Sequence, residues 1–174
     1  MENIYLFILI ALVLLAFADL IVGVSNDAVN FLNSAIGSKV LSFKTLMIIA
    51  SLGVFVGCVY SSGMMEVARK GIFNPGEFLF NEIMIIFMAV MITDILILDL
   101  FNSWGLPTST TVSIVFELLG ASVAMALIKI GVDNGSFTDL ATYINTSKAT
   151  QIILGILLSV FVAFSIGAIV QWVS

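Results

Sequence analysis

Histidine is absent from this chain of 174 residues, cysteine occurs once, proline twice, and lysine and arginine together only six times. Each scarcity removes a class of function. Without histidine or a cysteine pair, and with no nucleophile beside a base, the sequence offers no catalytic constellation, so neither an enzyme nor a resident cofactor is expected. Cys58 has no partner for an intramolecular disulfide and sits in an apolar run, where it reads as a small packing residue. Six dispersed basic residues make no stripe for nucleic acid. Charged residues are 10% of the chain, whereas soluble domains average about 25%.

Hydrocarbon fills the space that charge leaves. Hydrophobic residues make up 61% of the sequence and the mean hydropathy is +1.22, which points to an all-α polytopic protein of the lipid bilayer. The net charge of −5 comes from acids within or beside apolar runs. Residues 4–24 are long enough for a first span. Ala16-Phe17-Ala18 has the small-x-small pattern of a signal cleavage site, but Glu2 and the lack of Lys or Arg before it favour a retained span. Further spans are expected at 45–61, 78–101, 108–130 and 149–173, about five in all. Gly53 and Gly57 mark a packing face on the second. Residues 62–77, with a short amphipathic helix, and residues 131–148 read as surface connectors. Lys39 and Lys44 follow the first span, whereas Arg69, Lys70, Lys129 and Lys148 flank the other side, which favours a cytoplasmic N-terminus.

Five acids interrupt these runs: Asp19, Glu82, Asp94, Asp99 and Glu117. Asp19, near the end of the first span, reads either as an interfacial carboxylate or as part of a polar site. Asp94 and Asp99 lie five residues apart, roughly 140° round a helix, so both cannot face one small site.

Two polar concentrations stand out. In the first, Gly23 to Ser38, the residues Ser25, Asn26, Asp27, Asn30 and Asn33 are too polar for a lipid-facing helix, and the apolar residues among them are too many for a solvated loop. A broken or re-entrant segment over about 25–44 is expected. Asn26 and Asn30 are four apart and share a helix face, with Asp27 beside them. In the second, Asn102 to Ser113, Pro107 suits a first helical position, which would place Thr108, Ser109, Thr110 and Thr111 in the first turn. Free N–H groups, the positive end of the helix dipole and hydroxyls make an anion site in kind; ordinary hydroxyl capping is the simpler alternative. Neither stretch holds a Lys or Arg up to Ser38, so an anion beside Asp27 needs a cation travelling with it. That chemistry is symport.

Both stretches resemble signature segments of the inorganic phosphate transporter family, the sodium- or proton-coupled phosphate permeases. The family's first signature, of the type GANDVANSFGTSVGS, is similar to SNDAVNFLNSAIGS from Ser25, with Asn26, Asp27, Asn30, Gly37 and Ser38 in place. MEVARKGI from Met65 resembles its arginine-lysine-glycine continuation. The segment of the type GLPVSTTHS is similar to Gly105–Ser113, with Val112 where many members carry histidine. Ser25 stands in place of a small alanine, and Phe31 and Asn33 alter the tail of the first signature.

The resemblance implies a secondary transporter built of two inverted repeats, with residues 1–174 as a single transmembrane repeat unit, the N-terminal half. Its partner would be a second repeat, in the same longer chain or in another subunit, including a homo-oligomer. Phosphate contact is carried over to Asp27, Asn30, Thr108, Ser109 and Thr110. The coupling cation, sodium or proton, is carried over to Asn26, Asp27 and Asp94, with no metal beyond sodium. The implied function is cation-coupled symport of inorganic phosphate in the plasma membrane; a sulfate-type permease and a non-transporting assembly subunit are the alternatives.

Overall fold

A computed structural model describes residues 2–66, 71–133 and 135–173. The Arg69–Lys70 pair, expected at the membrane surface, lies outside them. The described residues are helical, with no strand beyond an isolated antiparallel bridge between Phe73 and Ile144. The long helices are α1 (Glu2–Gly37), α2 (Phe43–Val59), α4 (Phe80–Trp104), α5 (Thr110–Val132) and α7 (Thr146–Val173). Short helices α3 (Ser62–Glu66) and α6 (Leu140–Tyr143) lie in the connectors. Among the described residues four helices are long and apolar enough to cross a membrane, and α2 is a shorter apolar helix of 17 residues.

One expectation changes. The chain does not break at the polar residues after Gly23: α1 runs through them for 36 residues, about 54 Å against a hydrocarbon core of about 30 Å. The interruption is confined to the link before α2, where Lys39 is left-handed at φ 54° and Ser42 caps the next helix through Thr45 N. The reason is local. Helical spacing lets Asn30 donate to Asn26 one turn below at 3.2 Å, so polarity in this stretch is met by side chains while the backbone keeps its own ladder.

Contacts at three levels fix how the long helices run. Tyr5 meets Phe80 with ring centroids 6.2 Å apart, Asp19 meets Asp94, and Asn26 meets Asn102 at 2.7 Å. The sequence offset hardly changes along this series, so α1 and α4 lie side by side and parallel. Pairs between α4 and α5 run the other way: Glu82 binds Lys129 at 2.9 Å and Asp94 meets Glu117. These two helices form an antiparallel hairpin. Gly105, at φ 66°, ends α4, with Gly105 N bonded to Asn102 O at 3.1 Å and Leu106 N to Phe101 O at 2.9 Å. That Schellman turn uses the one backbone region that glycine enters without strain.

For α1 and α4 to run parallel, the chain must return across the bundle between them. Helix α2 is the described element there that is long enough, at about 25 Å. The hydrophobic core lies between α4 and α5, where Ile86, Val90, Val115, Leu118 and Ala126 are buried. It continues at the N-terminal end of α4 under the bridged segments, through Ile72, Phe73, Phe78 and Ile144. Lys129 closes that end: its Nζ donates to Glu82 and to the Glu77 carbonyl and lies 5.7 Å from the Phe78 ring centre. Beyond Ile156 nearly every side chain of α7 is exposed.

Parallel α1 and α4 are testable by cross-linking. In a background carrying Cys58→Ser, the pair Tyr5→Cys and Phe80→Cys should form a disulfide on mild oxidation. Tyr5→Cys with Trp104→Cys, at opposite ends of α4, should not. The reverse result would require an antiparallel pair.

Candidate functional site

The two polar stretches, far apart in sequence, close on each other where α1 passes the α4–α5 turn. Thr110, the first residue of α5, donates its hydroxyl to Asp27, 3.3 Å from each carboxylate oxygen. One turn along α1, Asn30 Nδ2 donates to the Thr108 carbonyl at 2.8 Å and to Asn26 Oδ1 at 3.2 Å. Asn26 in turn donates to Asn102 Oδ1 at 2.7 Å. The result is a chain of amides from α4 through α1 to the α4–α5 turn. Asn26 is its buried link, 2% exposed, and both ends of its amide are satisfied, as a buried polar group requires.

The start of α5 differs from the expectation in one respect. Pro107 and Thr108 stay outside the helix, Ser109 is the N-cap and Thr110 comes first. The Ser109 hydroxyl accepts from Val112 N at 3.4 Å, so hydroxyl capping, the simpler alternative, is what this helix start shows, and the first helical position falls to Thr110 instead of Pro107. The turn still presents its positive end, with Thr110 and Thr111 N–H in the uncapped first turn, towards α1.

Beside the amide chain lies a cavity of about 550 Å³, lined among others by Ser25, Asn26, Asn30, Asn33, Asn102 and Pro107. Its walls combine amides with the edge of the turn. Asp27 and Thr110 are not among the residues that line it; they meet each other across α1 and α5. The structure therefore brings together Asn26, Asp27, Asn30, Thr108 and Thr110, with Ser109 adjoining as the cap.

Asp94 is elsewhere. It precedes Asn102 by eight residues, about 12 Å along α4, and faces Asp19 of α1 and Glu117 of α5. Of the two aspartates on this helix Asp94 is buried at 2% exposure while Asp99 is exposed, as their angular separation required. No group of three acidic, histidine or cysteine side chains converges to hold a metal ion among the described residues.

Asn102 and Glu117 are polar participants that sequence reasoning did not single out. A signal for Asn102 existed in its position as the first polar residue after the apolar run of α4. Glu117 stands four residues after Ser113, which donates to it at 2.7 Å, so the pair was available as an i, i+4 contact.

These helices define a polytopic membrane protein whose polar side chains gather between α1, α4 and α5. The sequence model described as the phosphate transporter family matches residues 23–174, and the chain belongs to that family. It is 28% identical over 137 residues to a protein of Thermococcus kodakarensis named as a candidate phosphate permease, a match covering 78% of this chain and 30% of that one. A Pyrococcus furiosus protein of the same description is 30% identical over 118 residues, covering 67% and 29%. A Helicobacter pylori relative is 30% identical over 105 residues, covering 59% and 20%. The chain thus spans under a third of the length of these relatives. No solved structure matches significantly.

Asn102→Ala removes the acceptor for the buried Asn26 amide. It should destabilise the protein by about 1–2 kcal/mol, read as a lower thermal unfolding midpoint in detergent. Asn102→Asp keeps an acceptor oxygen and should cost less. Equal midpoints for wild type and Asn102→Ala would mean that this bond does not hold α1 to α4.

Proposed function

We propose that this chain is one half of a cation-coupled symporter of inorganic phosphate, acting as a multi-pass protein of the plasma membrane with the N-terminus of α1 on the cytoplasmic side. The observation that carries the reading is the closure of α1 onto the start of α5 through Asp27–Thr110 and Asn30–Thr108. Membership of the phosphate transporter family supports the choice of anion, as do the names of relatives.

The chemistry follows from which groups meet there. The Ser109 hydroxyl and the first free N–H groups of α5 supply donors for an oxyanion, and the Asn30 amide and the Thr110 hydroxyl, bonded here to Thr108, Asn26 and Asp27, would add theirs by exchanging those partners for it. The Asp27 carboxylate supplies an acceptor for a protonated phosphate oxygen, which favours phosphate over fully ionised sulfate. Two unit charges of one sign 4 Å apart repel by about 4 kcal/mol at an effective dielectric constant of 20. A sodium ion or proton held by Asp27 and the Asn26 amide oxygen offsets that repulsion, which is why the anion and the cation would travel together. A second repeat, inverted with respect to this one, would cover the open side of the site and the exposed faces of α1, α2 and α7.

In vesicles holding the complete protein, phosphate uptake should rise when a sodium or proton gradient is imposed, and sulfate should compete poorly. Asp27→Asn should lower uptake about tenfold to a hundredfold, the loss expected for a charge-assisted contact of about 1.5–3 kcal/mol. Uptake indifferent to both gradients would refute coupling. Wild-type uptake by the Asp27→Asn variant would remove that carboxylate from the site.

A further inference from the structure

Away from the amide chain, three helices bring three carboxyl groups to one place. Asp94 of α4 lies against Asp19 of α1 and Glu117 of α5. Asp94 is 2% exposed, and its Oδ1, Asp19 Oδ1 and Glu117 Oε2 are buried with no donor in reach. Among the described residues the one donor supplied from outside the cluster is the Ser113 hydroxyl, 2.7 Å from Glu117 Oε1.

The surrounding charges make this arrangement hard to satisfy with ionised groups. From α1 the cluster receives Asp19, from α4 Asp94, and from α5 Glu117 with Ser113. Among the described residues no basic side chain comes with them. Lys129 is held by Glu82 at 2.9 Å, about 18 Å along α4 from Asp94. An ionised carboxylate is an acceptor only, so two of them in contact cannot bond unless one carries a proton. Like charges at contact also repel strongly where water is excluded, and intramembrane carboxyls without a basic partner commonly mark proton pathways.

We propose that Asp19, Asp94 and Glu117 form a proton-binding site, with Asp94 as the hub that shares a proton with either neighbour. Protons suit this geometry better than a metal ion, because the carboxyls meet in pairs through Asp94 and no three among the described residues are placed to hold a metal ion together. Two contacts among three carboxyls take at most one shared proton each. Asp94 and Asn102 lie on one helix, and Asp19 and Asn26 on another, so a change in occupancy would bear on the same α1–α4 pair that holds the amide chain. The proposal does not depend on phosphate being the substrate.

Infrared spectroscopy of the full-length protein in lipid vesicles tests it without any transport measurement. At neutral pH the wild type should show a carboxylic-acid C=O stretching band that shifts in D₂O and is unchanged by adding sodium. A variant carrying Asp19→Asn, Asp94→Asn and Glu117→Gln should lose that band, while Asp27→Asn should keep it. A wild type without the band, or a band that survives the triple substitution, would overturn the assignment and needs no judgement about folding of the variant in the first case. Loss of the band on sodium addition would overturn it in favour of a metal ion.

Discussion

A polar side chain carried into hydrocarbon has to find its partner on another helix, and the packing of this protein follows from that requirement. Helix α1 is the carrier. Its successive polar residues, Asp19 and Asn26, meet counterparts on α4 at nearly the same sequence offset, and the Tyr5–Phe80 contact continues the series to the far end. A shift of α1 by one residue would turn each polar group about 100° away from its partner. The register of α1 on α4 is therefore set several times over by groups that cannot be left facing lipid.

The rest of the bundle follows. Parallel α1 and α4 require α2 to bring the chain back, and the Schellman turn at Gly105 sends α5 antiparallel to α4. That turn places Thr108 and Thr110 opposite Asn30 and Asp27. At the other end, Glu82 accepts from Leu79 N and from Lys129, so one carboxylate caps α4 and anchors the end of α5. The hairpin is thus held at both ends while α1 lies across it, and the polar seam becomes a property of three helices instead of one.

Much of this was legible from composition and spacing. The apolar runs located α2, α4, α5 and α7 to within a few residues, because length and hydropathy suffice to mark a span. The polarity of Gly23–Ser38 marked the α1 side of the site, and the NSWGLPTSTTVS segment marked the other. What failed was the inference from polarity to a broken backbone. Polarity shows that partners are needed but not where they are, and here they come from Asn102 and the α4–α5 turn. The proline at 107 also misled, since a serine two residues later makes the cap. The carboxyl cluster was the least visible: Asp19, Asp94 and Glu117 are distant in sequence, and only the register of three helices brings them together.

The central claim is that the Asp27–Thr110 closure forms an anion site. Equilibrium binding of labelled phosphate to the purified full-length protein, wild type against Thr110→Val, addresses it most directly, because valine keeps the volume and removes the hydroxyl. Binding at least about tenfold weaker in the variant is expected, corresponding to about 1.4 kcal/mol. Unchanged affinity, with the variant folded as the wild type is, would contradict it.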